Sequence, residues 1–68
     1  MDGLSYVGDF RHGLKDGYGI EIDTINSRTY YGNWKNNQKH GKGFEDMNNL
    51  GTYEGVFVDG YRNGLGIF

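Results

Sequence analysis

The stretch Tyr30-Tyr31-Gly32-Asn33-Trp34-Lys35-Asn36-Asn37-Gln38-Lys39-His40-Gly41-Lys42-Gly43-Phe44 decides the fold. Tyr30, Gly32 and Trp34 stand at i, i+2 and i+4, the spacing of a strand with all three on one face. The six residues before Gly41 hold a turn, and Asn37 inside it is a residue that accepts positive φ cheaply. Gly41-Lys42-Gly43-Phe44 then opens a second strand. Glycine weakens a strand unless another group must pass close to the backbone. The facing strand supplies such groups, Tyr30 and Trp34. The stretch therefore reads as a β-hairpin with aromatic rings lying over glycines.

The same pattern occurs on both sides. Tyr6-x-Gly8-x-Phe10 precedes it and Tyr53-x-Gly55-x-Phe57 follows it. Each Tyr is followed by a Gly-x-Gly 11 and 13 residues on: Gly17/Gly19, Gly41/Gly43 and Gly64/Gly66. Gly13, Asn37 and Gly60 mark the turns, three residues beyond each i+4 aromatic. Self-similarity at such a period is the mark of a repeat architecture. We expect an all-β fold of three stacked β-hairpins in one elongated, twisted, single-layer antiparallel sheet. The units are about 6–28, 30–51 and 53–68, the last incomplete, in one array over 1–68. Residues 23–29 and 45–52 read as polar connectors, with turn signals at Asn26-Ser27 and Asn48-Asn49. Neither end carries a polar capping unit of the kind solenoids use, which suggests a piece of a longer array or a chain whose ends are covered by something else.

Composition agrees. Glycine is 13 of the 68 residues, proline and cysteine are absent, and aromatics make up 16%. Collagen needs glycine at every third position with abundant proline. A transmembrane helix needs about 20 consecutive apolar residues. A disulfide-stapled secreted domain needs cysteine, and a disordered tail would not be this aromatic. None of these fits. Met1-Asp2-Gly3-Leu4 lacks the basic start of a signal peptide, so a cytoplasmic protein is the expectation. The net charge is −2 and does not suggest nucleic acid. Residues 24–44 nevertheless carry four bases and no acid, between two acidic thirds.

The repeat resembles the MORN family (membrane occupation and recognition nexus), which repeats Tyr-x-Gly-x-Trp/Phe, a Gly and then Gly-x-Gly over about 23 residues. The likeness spans the whole chain three times, and His40-Gly41-Lys42-Gly43 is closest to the family's wording. Asn37 departs from the family's Gly. So do Ser27 and Leu50, where a Gly usually precedes the Tyr by three, as Gly3 does. The resemblance implies hairpins in an elongated twisted sheet, often with a groove along one face. It also implies a range of roles: scaffolds at the cytoskeleton or cilium, partner-binding grooves, dimerisation modules, membrane contacts and leaders of larger enzymes.

Catalytic chemistry is not indicated. His12 and His40 are both expected in hairpin turns, with no nucleophile motif beside them. No Gly-x-Gly extends to a phosphate-binding loop, and Gly41-Lys42 is followed by Gly43 rather than Ser or Thr. We expect no cofactor, no metal site and no small-molecule substrate. The expected function is a non-enzymatic scaffold that binds a protein partner, or another copy of itself, through the sheet face lined by Tyr6, Phe10, Tyr30, Trp34, Tyr53 and Phe57. Aromatic residues dominate interface energetics, although these rings are also the fold's own core candidates.

The opposite face, with Tyr18, Ile20, Ile22, Lys42, Phe44, Leu65 and Ile67 on second strands, is too apolar for full solvation and calls for a covering surface. A second reading is an anionic membrane surface held by Lys35, Lys39, His40 and Lys42, clustered at one turn, each Lys contributing about 1 kcal/mol. A third is a regulatory leader of a larger enzyme. Gly8, Gly17, Gly19, Gly32, Gly41, Gly43, Gly55, Gly64 and Gly66 are expected to be structural.

Overall fold

The computed structural model describes residues 3–63. Its strands are β1 (Leu4–Arg11), β2 (Leu14–Asp23), β3 (Arg28–Lys35), β4 (Gln38–Asp46), β5 (Thr52–Val58) and β6 (Tyr61–Arg62). They form one antiparallel sheet in sequence order. The three-hairpin single-layer array read from the sequence is therefore present, in a body 33 × 29 × 14 Å in extent. Gly64 and Gly66, with Leu65 and Ile67, lie outside the described residues.

The turns are tighter than expected. Each hairpin closes on two residues, His12-Gly13, Asn36-Asn37 and Asp59-Gly60, flanked by the pairs Arg11↔Leu14, Lys35↔Gln38 and Val58↔Tyr61. All six turn residues have positive φ, from 50° at Asp59 to 90° at Gly60. Positive φ at both central positions matches the twist of the flanking strands and lets pairing start at once. The second strands therefore begin at Leu14, Gln38 and Tyr61, and not at the Gly-x-Gly. His40 accordingly sits within β4 and not in a turn.

The extra residues are absorbed as bulges. Register slips between Gly8 and Phe10 against β2, and between Gly32 and Trp34 against β4. Gly17 and Gly41 occupy these bulges with φ of 103° and 88°, a backbone region that glycine adopts without a Cβ clash. The two glycines of Gly17-x-Gly19 and of Gly41-x-Gly43 thus have different work. The second joins a file that crosses five strands: Gly8↔Gly19, Gly19↔Gly32, Gly32↔Gly43 and Gly43↔Gly55.

The connectors are shorter than the polar composition suggests. Asp23 ends β2 and turns the chain itself, its carboxylate accepting from the N–H groups of Ile25 and Asn26 and the Asn26 amide. Those hydrogen bonds hold its pKa below the usual carboxylate value, the Asn26 side chain first among them. Asp46 does the same for Asn48, and a single 3-10 turn, Asn48–Leu50, leads into β5. Met47, inside the expected polar connector, is buried against the aromatic core.

Candidate functional site

One face of the sheet is closed by rings. Phe10, Tyr6, Trp34, Tyr30, Phe57 and Tyr53 follow one another edge-to-face, with centroids 5.0–5.4 Å apart and planes 78–86° apart. This is the arrangement aromatic quadrupoles favour. Each tyrosine hydroxyl donates to the carbonyl three residues on: Asp9, Asn33 and Val56. That bond lays the ring over the glycine file. A Cβ at Gly19 would collide with the ring of Tyr6, and one at Gly43 with Tyr30. Among the described residues, the rings that cover glycine are those of Tyr6 and Tyr30. Trp34 and Phe57 instead bridge to the tyrosine of the preceding unit, and the Trp34 indole N–H donates to the Gly19 carbonyl at 3.3 Å.

The six candidate partner-binding rings are thus brought together, with unequal access. Tyr30, Trp34, Tyr53 and Phe57 are buried, Tyr6 is half-buried, and Phe10 is 59% exposed. Burial raises the phenol pKa of Tyr30 well above its ordinary value of 10.0, with the Glu45 charge adding to it. Tyr6 is raised for the same first reason, with Asp9 and Asp16 adding.

Cations lie over the rings. Lys15 Nζ is 4.8 Å from the Trp34 centroid, Lys39 Nζ 5.2 Å from Tyr30, and the Arg62 guanidinium 5.5 Å from Tyr53. Such contacts contribute about 0.5–2 kcal/mol. Lys15 also pairs with Glu21 at 3.0 Å. Glu45, only 2% exposed, holds two cations, Lys39 at 3.3 Å and Arg62 at 3.0 Å. Sequence reasoning missed these carboxylates. The signal was available, because Lys15…Glu21 and Lys39…Glu45 share one spacing and one position in the repeat.

The four basic residues of the middle unit do not stay together. Lys39 turns onto the ring face and is held there by Glu45. Strand alternation places Lys35 and Lys42 on the other face. His40 Nδ1 lies 3.8 Å from the Asp59 carboxylate.

That other face is open. An exposed groove of about 590 Å³ runs over the glycine file, with Tyr18, Tyr31, Phe44 and Val56 as apolar walls. Lys42 and Glu54 stand at its rim, and neither has an ion-pair partner among the described residues. Tyr31 and Phe44 are cross-strand neighbours with centroids 6.0 Å apart. Tyr18 is 55% and Tyr31 38% exposed, so the groove presents apolar surface to water. No group of three or more potential metal-ligating side chains occurs among the described residues.

Comparison with known proteins agrees with the repeat. The family model "MORN repeat" matches residues 6–28, 30–51 and 53–68. The chain is 39% identical to alsin of Rattus norvegicus and of Homo sapiens over 97% of its own length, and 34% identical to "ALS2 C-terminal-like protein" of Bos taurus over the same share. It spans about 4% of the length of the alsins and 7% of the latter protein.

Proposed function

This chain belongs to the MORN repeat family, a family of non-catalytic interaction modules, and we propose that it is itself non-enzymatic and holds a protein segment along the open face of its sheet. The observation that supports this reading is the contrast between the faces. The rings of Tyr30, Trp34, Tyr53 and Phe57 are spent on the fold's own core, whereas the groove over the glycine file leaves Tyr18, Tyr31, Phe44 and Val56 accessible. Patches of exposed apolar surface rimmed by polar groups mark interaction sites. The rim sets the occupant's chemistry. An amphipathic segment with apolar side chains at its centre, an acid facing Lys42 and a base facing Glu54 would pair both unpartnered charges.

The test is photo-crosslinking in cells, with benzoylphenylalanine at Tyr31 and, as a control, at Ile25, an exposed position away from the groove. A discrete protein adduct from Tyr31, absent from Ile25 and reduced about tenfold by Lys42→Glu, is the expected result. Equal labelling from both positions, or labelling indifferent to Lys42→Glu, would sink the reading.

A membrane reading has one observation behind it: Lys35 and Lys42 share the open face. It is checked by sedimentation with phosphoinositide vesicles at physiological salt. Vesicle binding there that is lost in a Lys35→Glu, Lys42→Glu variant would replace a protein occupant with a lipid surface. Two lysines supply only about 2 kcal/mol, which salt screens.

A further inference from the structure

The repeat accounts for most basic side chains of the ring face, but not for all of them. A cation recurs nine residues after each repeat tyrosine, as Lys15, Lys39 and Arg62, and each of these is paired with a carboxylate. Arg28 follows no such rule. It stands two residues before Tyr30, where the neighbouring units have Leu4 and Gly51. Its side chain is exposed at the start of β3, and its guanidinium has no hydrogen bond or ion pair among the described residues. The acid across the strand from it, Asp23, uses its carboxylate on the N–H groups of Ile25 and Asn26 and on the Asn26 amide.

Arg28 lines a depression of about 200 Å³ together with Lys39, Glu45, Tyr61 and Arg62. Three cations stand against one carboxylate there, so the lining carries +2. That carboxylate is already committed. Glu45 is buried and holds Lys39 on one oxygen and Arg62 on the other. Two cations are thus fixed in place by a buried acid, and the third has nothing to bind. The volume falls below the roughly 300–1,000 Å³ of pockets for drug-sized ligands. It suits one phosphate group with the carbon that carries it. A phosphate monoester has a charge of about −1.5 to −2 near neutral pH, which matches the lining, whereas a carboxylate supplies about half of that. The forked donors of two guanidinium groups also fit phosphate oxygens.

We propose that the depression formed by Arg28, Lys39 and Arg62 binds a phosphate monoester carried on a side chain of a protein partner. It lies on the ring face, opposite the groove, so it stands independently of the occupant proposed there. The charge around it favours a phosphorylated side chain over a lipid headgroup. Residues 1–23 and 45–68 each carry a net charge of −3, and an anionic membrane would meet these acids on both flanks of the basic unit. A single phosphorylated side chain enters the depression without that opposition. Tyr61, 77% exposed at its margin, offers apolar surface to the carbon chain behind the phosphate.

Nitrogen-15 correlation spectra of the 68-residue chain, titrated with a blocked glycine–phosphoserine–glycine peptide, test this. The expected result is saturation in the millimolar range, the strength of two or three charge-assisted hydrogen bonds. The shifts should be confined to Gly60, Tyr61 and the side chains of Arg28 and Arg62. A peptide with glutamate in place of phosphoserine should bind about tenfold more weakly, having half the charge. Arg28→Leu copies Leu4 and should keep the dispersed spectrum of the folded chain while weakening binding about ten- to hundredfold. Arg28→Lys, which keeps the charge and loses the fork, should fall between. Lys42→Glu, on the open face, should leave binding unchanged. Inorganic phosphate should compete for the same residues with lower affinity, since it has no carbon chain to meet Tyr61. Equal binding of the glutamate peptide, or binding indifferent to Arg28→Leu and Arg28→Lys, would overturn the proposal. So would free phosphate that binds more tightly than the peptide, or phosphoinositide vesicles that bind where the peptide does not.

Discussion

Phe10 and Trp34 occupy the same position in neighbouring repeats, and one is 59% exposed while the other is 5% exposed. Their strands have the same length and their local sequences the same pattern. The difference lies in the rings beside them. Trp34 closes against Tyr6 on one side and Tyr30 on the other, whereas among the described residues Phe10 packs on Tyr6 alone. In a repeat array a unit cannot bury its own apolar face; the neighbouring unit does it. Energetics in this chain should therefore follow position in the stack more than residue type.

The sharpest way to break that comparison is to truncate both rings. Trp34→Ala should cost about 3–5 kcal/mol. A domain of this size has only roughly 3–10 kcal/mol of stability in total, so this variant should be largely unfolded in thermal or urea melts. A cost below about 1 kcal/mol would show that the ring stack is not the core. Glu45→Ala should be less severe, about 1–3 kcal/mol, because it removes the buried carboxylate that anchors the partly exposed Lys39 and Arg62. Glu21→Ala removes one partner from a less buried pair and should cost distinctly less in the same melts.

Gly43→Ala comes next. Its Cβ would have to displace the Tyr30 ring, an overpacking worth about 1–3 kcal/mol, and a melt unchanged from wild type would exclude the ring-on-glycine contact. The tyrosines sharpen the comparison through pH. The Tyr30 phenol has its pKa raised by burial, so the folded state favours the protonated form. That contribution is complete below pH 10.0 and is lost as pH rises beyond it. Alkaline titration followed by circular dichroism should show unfolding above that pH, and Tyr30→Phe should move the transition upward. The smallest effect belongs to Phe10→Ala, under about 1 kcal/mol in the dilute chain. Anything near the Trp34 value would mean that Phe10 is already covered in solution.

Much of this was legible in sequence because the repeat prints each rule three times. Tyr-x-Gly-x-aromatic marked the first strands, and the positive φ foreseen at Gly13, Asn37 and Gly60 is found at 78°, 71° and 90°. The division of labour within Gly-x-Gly was not legible. Gly17 and Gly19 look alike on the page, and only the cross-strand register makes one a bulge and the other a seat for Tyr6. Lys39 read as a free surface base because composition counts charges without directions. The strand's alternation turns it onto the rings and toward Glu45. Met47 read as connector for the converse reason: one apolar residue among polar neighbours gives no periodicity to detect.

The sequence by itself determined the number of units, the strand polarity and the glycine-and-tyrosine seam, since all of these follow from local periodicity and the conformational freedom of glycine and asparagine. Which rings are core and which are surface was decided only by the tertiary structure. Burial is a property of neighbours across the sheet, and Phe10, Trp34 and Phe57 differ in their neighbours and not in their own sequence pattern.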